Sequence, residues 1–351
     1  MSLHTDASRS VMAADGYYNR HSERQAQAAE MGTGWLAEAA AAVPLPDALP
    51  VAIADYGSAQ GRNSMAPMRA AVEAVRSRSD AQIEVIHTDL PANDFATLFR
   101  LFEEDHSSYL RGFTEVYPYA IGRSFYKPLF PTGTLHLGWS CVSTHWLSHV
   151  PRTGIRALMP ALAAPEDREA FARQAADDWS AFLTARAQEL DVGGRVVMVQ
   201  PCAHPDGTSG GETLARVMAE VRDSMVEDGR LPLHVADRML IPAWMRTVDE
   251  YVAPIDDHPH LRLLRIEVVD QLPDPDRARL LADRDVHAYA HSVAASARAW
   301  SEHMLFGEVD DDGVTADEFY RRLEEEIAAH PGDGELPVPH LLFEFERTER
   351  R

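Results

Sequence analysis

An acidic residue beside a glycine-containing loop is the first place in this sequence where residue types and spacing could do chemistry. Asp55 ends a short apolar run, residues 51–55, and small residues follow from Gly57 to Gly61. Backbone N–H groups in such a loop can approach a nucleotide-like cofactor closely, while the acid faces the polar groups of that cofactor. The spacing is Gly-x-x-x-Gly, a weak pattern, so a plain tight turn is an equally good interpretation.

A second acid, Asp89, closes the apolar run of residues 83–88 and is followed by Leu90. At the end of a strand beside a glycine-rich loop, a carboxylate can accept hydrogen bonds from both hydroxyls of a ribose, with Leu90 against an adenine. The same stretch is equally typical of a helix N-cap, in which Asn93 or Asp94 precedes a helix.

The third group of candidates joins Ser124 and Phe125 to a run of polar and aromatic residues around Trp146. An apolar stretch, residues 134–139, leads directly into this run, and open α/β sheets place ligands at the carboxyl ends of their strands. For Trp139 or Trp146 alone, burial in the core is the simpler interpretation, because large aromatic residues are commonly buried.

Strands that alternate with helices must position these residues. Apolar runs of strand length occur at residues 51–55, 83–88, 134–139, 195–200, 261–269 and 340–345. Composition and periodicity predict helices at residues 22–43 and 65–76, and a third helix that begins at Pro165. The alternation predicts an α/β fold with a mostly parallel, doubly wound sheet.

Residues 203–260 depart from this alternation, because a polar loop, a helix and irregular sequence around two prolines replace it. We predict that this segment is a cap insertion over the sheet. The core then comprises residues 1–202, which include an N-terminal helical segment, and residues 261–351, which carry an additional helical cap segment around residues 275–332.

The net charge and the cysteines argue against several classes of function. The chain of 351 residues has 33 basic and 55 acidic residues and a formal net charge of −22, so no positive field would attract nucleic acid or a membrane surface. Cys141 and Cys202 are isolated and lack metal-site spacing, which fits a reduced compartment. Without a signal-peptide pattern or a membrane-spanning apolar run, we expect a cytoplasmic protein.

In order along the chain, the candidate residues form motifs that resemble those of the SABATH methyltransferases. This family includes carboxyl methyltransferases for salicylate, benzoate and jasmonate and a xanthine N-methyltransferase branch. The matching motifs are Tyr18-x-x-x-Ser22-x-x-Gln25, Asp55-x-Gly57 through Asn63, Asp89-Leu-Pro-x-Asn-Asp-Phe95, and Ser124-Phe-Tyr-x-x-Leu-Phe-Pro131 with His145-Trp-Leu-Ser-x-Val-Pro151. A further match from Arg298 to Phe319 extends the resemblance over most of the chain.

The resemblance implies a Rossmann-like class I methyltransferase core, a mostly parallel seven-stranded sheet with helices on both faces, and an inserted helical cap. It implies S-adenosylmethionine as cofactor and S-adenosylhomocysteine as product. It also implies that the chain is a bacterial-type member of the family and that it forms a homodimer. The implied cofactor-binding residues are Tyr18, Ser22, Asp55, Gly57, Asn63, Asp89, Leu90, Ser124, Phe125 and Cys141. Gln25 and Trp146 would hold the substrate carboxylate, and His145 and Val142 would line the acceptor pocket.

Departures from the family pattern predict an acceptor pocket of different shape. Val142 replaces an aromatic wall residue of plant members, and an ungapped count places Ala215 where some of them have tryptophan.

Because a carboxylate is already ionised at neutral pH, the neutral donors of Gln25 and Trp146 suffice to orient it and no general base is needed. We therefore expect methyl esterification of a small, largely apolar or aromatic acid.

Two other functions remain open. N-methylation of a small heteroaromatic ring, with His145 orienting the acceptor, would give a base-stable product. A cofactor-binding protein without turnover would bind S-adenosylmethionine and release no S-adenosylhomocysteine. No metal site is expected, because the cluster from Asp256 to His260 lies in a proline-containing turn without a fixed ligand spacing.

Overall fold

A sheet of eight strands forms the centre of the molecule in the computed structural model, which describes residues 11–47, 49–151, 154–272, 275–307, 309 and 314–349. The strands are β1 (Val51–Tyr56), β2 (Ile83–Asp89), β3 (Val116–Gly122), β4 (Leu135–Cys141), β5 (Leu190–Ala203), β6 (Arg246–Thr247), β7 (Leu261–Val269) and β8 (His340–Arg347). Seven of them follow the order β3-β2-β1-β4-β5-β8-β7, and β6 pairs with β5 off this path.

The sheet is mostly parallel, as predicted. Neighbouring strands from β3 to β5 are parallel, whereas β8 runs antiparallel to both β5 and β7. The carboxyl ends of the parallel strands therefore meet at one edge of the sheet, where ligands bind in open α/β folds. In this register Asp55 of β1 lies opposite His87 of β2 and Trp139 of β4.

The predicted strands are all present, but β3 and the two-residue strand β6 were not predicted, and β5 begins at Leu190 rather than at residue 195. β3 is an edge strand whose side chains alternate between half-buried and exposed, and Tyr117 and Tyr119 face solvent. Because Pro118 interrupts the run as well, no continuous apolar stretch marks this strand.

Helices cover both faces of the sheet. They are α1 (Tyr17–Arg20), α2 (Glu23–Ala42), α3 (Met65–Arg76), α4 (Phe95–Glu104), α5 (Pro165–Glu189), α6 (Glu212–Glu227), α7 (Leu233–Ala236), α8 (Val248–Asp256), α9 (Pro275–Asp283), α10 (Val286–Phe306) and α11 (Val314–Ala329). On one face, Leu36 of α2 and Met68 of α3 pack with Trp139 of the sheet. On the other, Trp179 of α5 packs with Phe343 of β8. Within the described residues, no helix is long and apolar enough to cross a membrane.

A separate helical layer is formed by α6, α10 and α11, whose core includes Met218, Val293 and Phe319. These helices come from the two segments that the sequence analysis assigned to a cap. Part of the first segment belongs elsewhere, because α8 packs against the sheet through Tyr251 and Ile255. The division of the chain into domains stays a prediction.

Both interpretations of the stretch after β2 apply, but to different residues. Asp89 ends the strand, whereas Asp94 is the N-cap of α4 and its Oδ1 accepts a hydrogen bond from the N–H of Thr97 at 3.0 Å. The cap is therefore satisfied without Asp89, whose carboxylate is left for other partners.

Gly32 lets α2 lie directly on the sheet. A Cβ atom at this position would lie 2.5 Å from Cγ2 of Val199 and 2.6 Å from Cη2 of Trp139. Gly34 in the same helix faces open space. Apart from its chain neighbours and the nearby backbone of its own helix, no described atom would lie within 4 Å of a Cβ at this position. The close approach at Gly32 therefore leaves no room for a side chain.

We predict that Gly32→Ala lowers the free energy of unfolding by about 1–3 kcal/mol, because overpacking outweighs the gain in helix propensity. Gly34→Ala is the matched control and should raise that free energy by up to about 1 kcal/mol. Urea unfolding followed by circular dichroism measures both variants. Equal effects of the two substitutions would contradict the close packing of α2 on the sheet.

Candidate active site

A cavity of about 550 Å³ lies at the carboxyl ends of the parallel strands, and residues of α6 and α10 also line it. The predicted site residues in its lining are Tyr18, Gln25, Gly57, Asp89, Leu90, Ser124, Phe125, Cys141, Val142, His145 and Trp146. A smaller cavity beside it is lined by Asp55 and Asn63, and five residues line both cavities, namely Tyr18, Gln25, Gly57, Ala59 and Cys141. Ser22 accepts a hydrogen bond from Nδ2 of Asn63 at 3.1 Å. The structure thus brings the predicted residues together.

The Asp89 carboxylate is held by two backbone donors at the end of β2. The N–H of Leu90 donates to Oδ1 and the N–H of Ala59 donates to Oδ2, both at 2.7 Å. Burial raises the pKa of Asp89 to about 6; the two backbone donors oppose this shift and the Asp55 charge adds to it. The other lone pairs of the carboxylate can accept from hydroxyl donors in the cavity.

The loop after β1 approaches its neighbours so closely that it requires glycine. Gly57 has φ +81°, and a Cβ there would lie 2.4 Å from Cβ of Ser143. Gly61 has φ +89°, and a Cβ there would lie 2.2 Å from Cδ1 of Leu98. The loop is a tight turn and, through Gly57, also part of the cavity wall.

Asp55 is buried and bonded to side chains that the sequence motif does not include. Its Oδ2 lies 2.8 Å from Nδ1 of His87, and Nε2 of His87 lies 3.0 Å from the Tyr109 hydroxyl. With a neutral imidazole, Nδ1–H donates to the carboxylate and the tyrosine hydroxyl donates to Nε2. A histidine inside an apolar strand does not by itself indicate a functional residue. The parallel register of β1 and β2, however, pairs His87 with Asp55 and would have identified it as the partner of that carboxylate.

The turn after β4 is held by one glutamine of β5. The N–H groups of Ser143 and Thr144 both donate to Oε1 of Gln200 at 3.0 Å, and its Nε2 donates to the Ser140 carbonyl at 3.2 Å. Val142, which begins the turn, has φ +49°. This left-handed conformation is rare for β-branched residues and costs about 1–3 kcal/mol, so the hydrogen bonds offset a local strain.

A buried arginine and a buried tyrosine fix the carbonyl groups of the same turn. Nη1 of Arg246 donates to the Thr144 carbonyl at 2.6 Å. The Tyr126 hydroxyl lies 2.9 Å from that oxygen and 2.7 Å from the Trp146 carbonyl oxygen. Neither Arg246 nor Gln200 was among the predicted site residues, because each lies in a strand distant in sequence and holds the turn largely through its backbone atoms.

Gln25 and Trp146 line the same cavity, Gln25 from the first turn of α2 and Trp146 from the turn after β4. Oε1 of Gln25 is buried and has no hydrogen-bond partner among the described residues. The amide nitrogen, whose hydrogens can be donated, is therefore the atom left for a ligand where the two cavities meet. Amide and indole N–H groups can orient a carboxylate without transferring a proton to it.

Burial keeps His145 neutral. Its side chain is 5% exposed, and burial, together with the charges of Arg246 and His340, lowers its pKa to about 3. The imidazole centroid lies 4.5 Å from that of Trp146. At neutral pH this imidazole carries no charge that would attract a carboxylate, and it is too weak a base to remove a proton efficiently.

The opposite wall of the cavity is largely apolar. Its residues come mainly from the helical layer and the segments around it: Met159, Leu214, Ala215, Met218, Ile241, Ala243, Met245, Trp300 and Leu336. Ala215, at the position where some plant members have tryptophan by the ungapped count, contributes only a methyl group to this wall. An apolar wall of this kind favours a substrate with a substantial hydrocarbon part.

The cluster from Asp256 to His260 lies at the end of α8 and does not line the cavity. The N–H of His260 donates to Nδ1 of His258 at 3.3 Å. In the described part of the chain, no three His, Cys, Asp or Glu side chains are arranged to hold a metal ion.

A family model of S-adenosylmethionine-dependent carboxyl methyltransferases matches residues 13–340. This chain belongs to that family. Membership makes the chain an enzyme whose cofactor is S-adenosylmethionine, as the motifs implied. A binding protein without turnover, which the sequence analysis left open, is therefore set aside.

Individual relatives are similar to this chain over about two thirds of its length. Methyltransferase FUS9 of Gibberella moniliformis is 30% identical over 254 residues, which are 70% of this chain and 67% of the relative. Gibberellic acid methyltransferase 2 of Arabidopsis thaliana is 29% identical over 276 residues, 68% of each chain. These relatives are a fungal and a plant protein, so they do not support the expected bacterial-type member.

The solved structure of a loganic acid methyltransferase with S-adenosylhomocysteine is similar in fold. The TM-score is 0.80 at 20% sequence identity, and the match covers 97% of this chain and 99% of that chain. The predicted α/β methyltransferase fold is confirmed by this likeness.

The residues present fit S-adenosylmethionine. The cofactor presents ribose hydroxyl donors, and the Asp89 carboxylate in the cavity lining keeps lone pairs that can accept from them. Leu90 and Phe125 supply apolar surface in the same lining. The donors of the cofactor and the acceptors of the chain are thus complementary.

We predict that S-adenosylhomocysteine binds more weakly as the pH falls below about 6, because the pKa of Asp89 is raised to that value in the free protein. Hydroxyl donors require the ionised carboxylate, so affinity is full above this pH and falls by about tenfold per unit below it. Calorimetry between pH 7 and pH 5 measures the dissociation constant. Asp89→Asn should bind weakly and without this pH dependence; a wild-type affinity that stays constant over the range would contradict the role of Asp89.

We predict that His87→Leu lowers the free energy of unfolding by about 1–3 kcal/mol, because the buried Asp55 carboxylate loses its donor. His87→Asn keeps an N–H donor on the side chain and should lose less. Urea unfolding at a constant denaturant slope compares the two variants. A leucine variant as stable as the wild type would show that the Asp55 contact contributes nothing.

Proposed function

We propose that this enzyme methylates the carboxylate of a small, largely apolar or aromatic acid and so forms its methyl ester and S-adenosylhomocysteine. The observation that carries the proposal is that Gln25 and Trp146 line one cavity with Asp89 and Gly57. Two neutral N–H donors and a nucleotide-type acceptor therefore face the same space. The family to which the chain belongs transfers methyl groups to carboxyl groups.

In this proposal the protein contributes position rather than acid–base chemistry. S-adenosylmethionine supplies an electrophilic methyl group. The acceptor carboxyl group has an ordinary pKa near about 4 and is ionised at neutral pH, so the amide of Gln25 and the indole of Trp146 need only orient its oxygen atoms. Correct placement of two reactants can contribute on the order of 7–11 kcal/mol to lowering the barrier.

The proposed binding roles follow the lining of the two cavities. Asp89 and Leu90 would hold the ribose and adenine, and Gly57 would let the backbone approach the cofactor. The motifs assign seven further residues to the cofactor: Tyr18, Ser22, Asp55, Asn63, Ser124, Phe125 and Cys141. Burial raises the pKa of the Cys141 thiol, so this group stays protonated and does not compete as a nucleophile.

The apolar character proposed for the substrate rests on the cavity wall. Met218 and Leu214 of α6 and Trp300 of α10 present apolar surface to the space that Trp146 also lines. Two of the similar proteins described above are named for acids, gibberellic acid for one and loganic acid for the other. An acid with a hydrocarbon body would fill the cavity and exclude water from the reacting oxygen.

We also propose that the enzyme acts in the cytoplasm as a homodimer. Cys141 and Cys202 are free thiols, which suits a reducing compartment. Analytical ultracentrifugation at micromolar concentration tests the dimer directly.

The proposed reaction is tested with labelled S-adenosylmethionine and a panel of aromatic, indolic and aliphatic acids. Label released by mild alkali indicates a methyl ester, whereas base-stable label indicates N-methylation, the alternative reaction, and would overturn the proposal. Trp146→Phe should lower kcat/KM by about 10- to 100-fold, because one hydrogen bond to a charged oxygen is lost.

Trp244→Phe is the matched control for that variant. Its indole nitrogen is buried and has no hydrogen-bond partner among the described residues, and Trp244 does not line the cavity. This variant should keep kcat/KM within about threefold of the wild type, since no hydrogen bond is removed. Equal losses in both variants would show that Trp146 acts through packing and not through its N–H group.

A further inference from the structure

Two buried imidazoles face the cavity and have no part in the proposed carboxylate contacts. His145 follows β4 in the chain and is 5% exposed, and His340 is the first residue of β8 and is 9% exposed. Both line the cavity. His340 is paired with Pro201 of β5, and the adjacent Gln200 accepts the N–H of Thr144, the residue before His145, so the two histidines lie on either side of the same stretch of β5.

The hydrogen bonding of His340 determines which of its nitrogen atoms carries the proton. Nδ1 lies 3.0 Å from the carbonyl oxygen of Val338. A carbonyl only accepts, so Nδ1 must carry the hydrogen. Burial lowers the pKa of His340 to about 4, and the ring is neutral at physiological pH. Its Nε2 is therefore a hydrogen-bond acceptor.

His145 has the opposite tautomer. Nδ1 is buried and has no partner among the described residues. A buried N–H without an acceptor is rarer and costlier than an unused lone pair, so the proton of the neutral ring belongs on Nε2. Because Nδ1 is enclosed, Nε2 is the nitrogen left for the cavity, where it acts as a donor.

We propose that His145 and His340 form a subsite for a hydroxyl group of the substrate, which makes the substrate a hydroxylated apolar acid. Nε2–H of His145 donates to the hydroxyl oxygen, and the hydroxyl hydrogen is donated to Nε2 of His340. This inference rests on the proposed esterification and specifies its substrate class.

Other groups fit the pair less well. A second carboxylate cannot donate to His340 and meets no positive charge, because both rings are neutral. A hydrocarbon leaves both nitrogen atoms unpaired in a buried wall. Sites built to bond a hydroxyl discriminate strongly against analogues that lack it, since their buried polar groups are then left without partners.

The test uses pairs of acids that differ by one hydroxyl: ω-hydroxydecanoic and decanoic acid, and para-hydroxyphenylacetic and phenylacetic acid. Calorimetry gives their dissociation constants for the enzyme saturated with S-adenosylhomocysteine, and the labelled assay gives kcat/KM. We expect the hydroxylated acid of at least one pair to be preferred by about 10- to 100-fold in both measurements.

His340→Leu should reduce that preference to less than about threefold, because the acceptor is lost. His340→Gln restores an acceptor and should recover part of the preference, which a merely structural role of His340 would not predict. Affinity for S-adenosylhomocysteine reports whether each variant is folded.

The possible failures are distinguishable. Esters formed equally well from both members of every pair, or a preference that persists in His340→Leu, would overturn the hydroxyl subsite and leave the proposed esterification standing. If none of the acids gives base-labile label, the proposed function fails and the subsite fails with it.

Discussion

The position of the reactive groups depends on the buried turn between β4 and Trp146. Its N–H groups donate to Gln200 of β5, and its carbonyl groups bond to Arg246 of β6 and to Tyr126. Buried backbone groups must be paired, and here strands of the sheet and its flanking loops supply the partners. The left-handed conformation of Val142 persists because these bonds over-determine it. The indole of Trp146 is thus placed by the sheet and not by a mobile loop.

Burial then determines the chemical character of the groups that the turn presents. It raises the pKa of Asp89 and lowers those of His145 and His340, because burial disfavours the charged form of each group. An acid that enters this cavity meets neutral donors from Gln25 and Trp146. Recognition of the acid therefore depends on hydrogen-bond geometry and apolar contact. The net charge of the chain, −22, gives no long-range attraction for an anion, so these short-range contacts must supply the affinity.

Much of the fold could be predicted from the sequence, because buried parallel strands form continuous apolar runs and long helices carry their own boundaries. β3 could not, since an edge strand that is half exposed lacks such a run. The motif residues lie together as the resemblance implied, but His87, Gln200 and Arg246 were missed. Each acts on a neighbouring strand or on backbone atoms, and such pairings follow from the strand register rather than from local sequence.

The central claim is that the Gln25 amide and the Trp146 indole hold a carboxylate beside the cofactor. A crystal structure of the enzyme with S-adenosylhomocysteine and an acid that it esterifies tests this most directly. The account predicts carboxylate oxygens within about 2.7–3.2 Å of Nε2 of Gln25 and Nε1 of Trp146. A carboxylate bound away from both nitrogen atoms, or facing away from the sulfur of the cofactor, would contradict it.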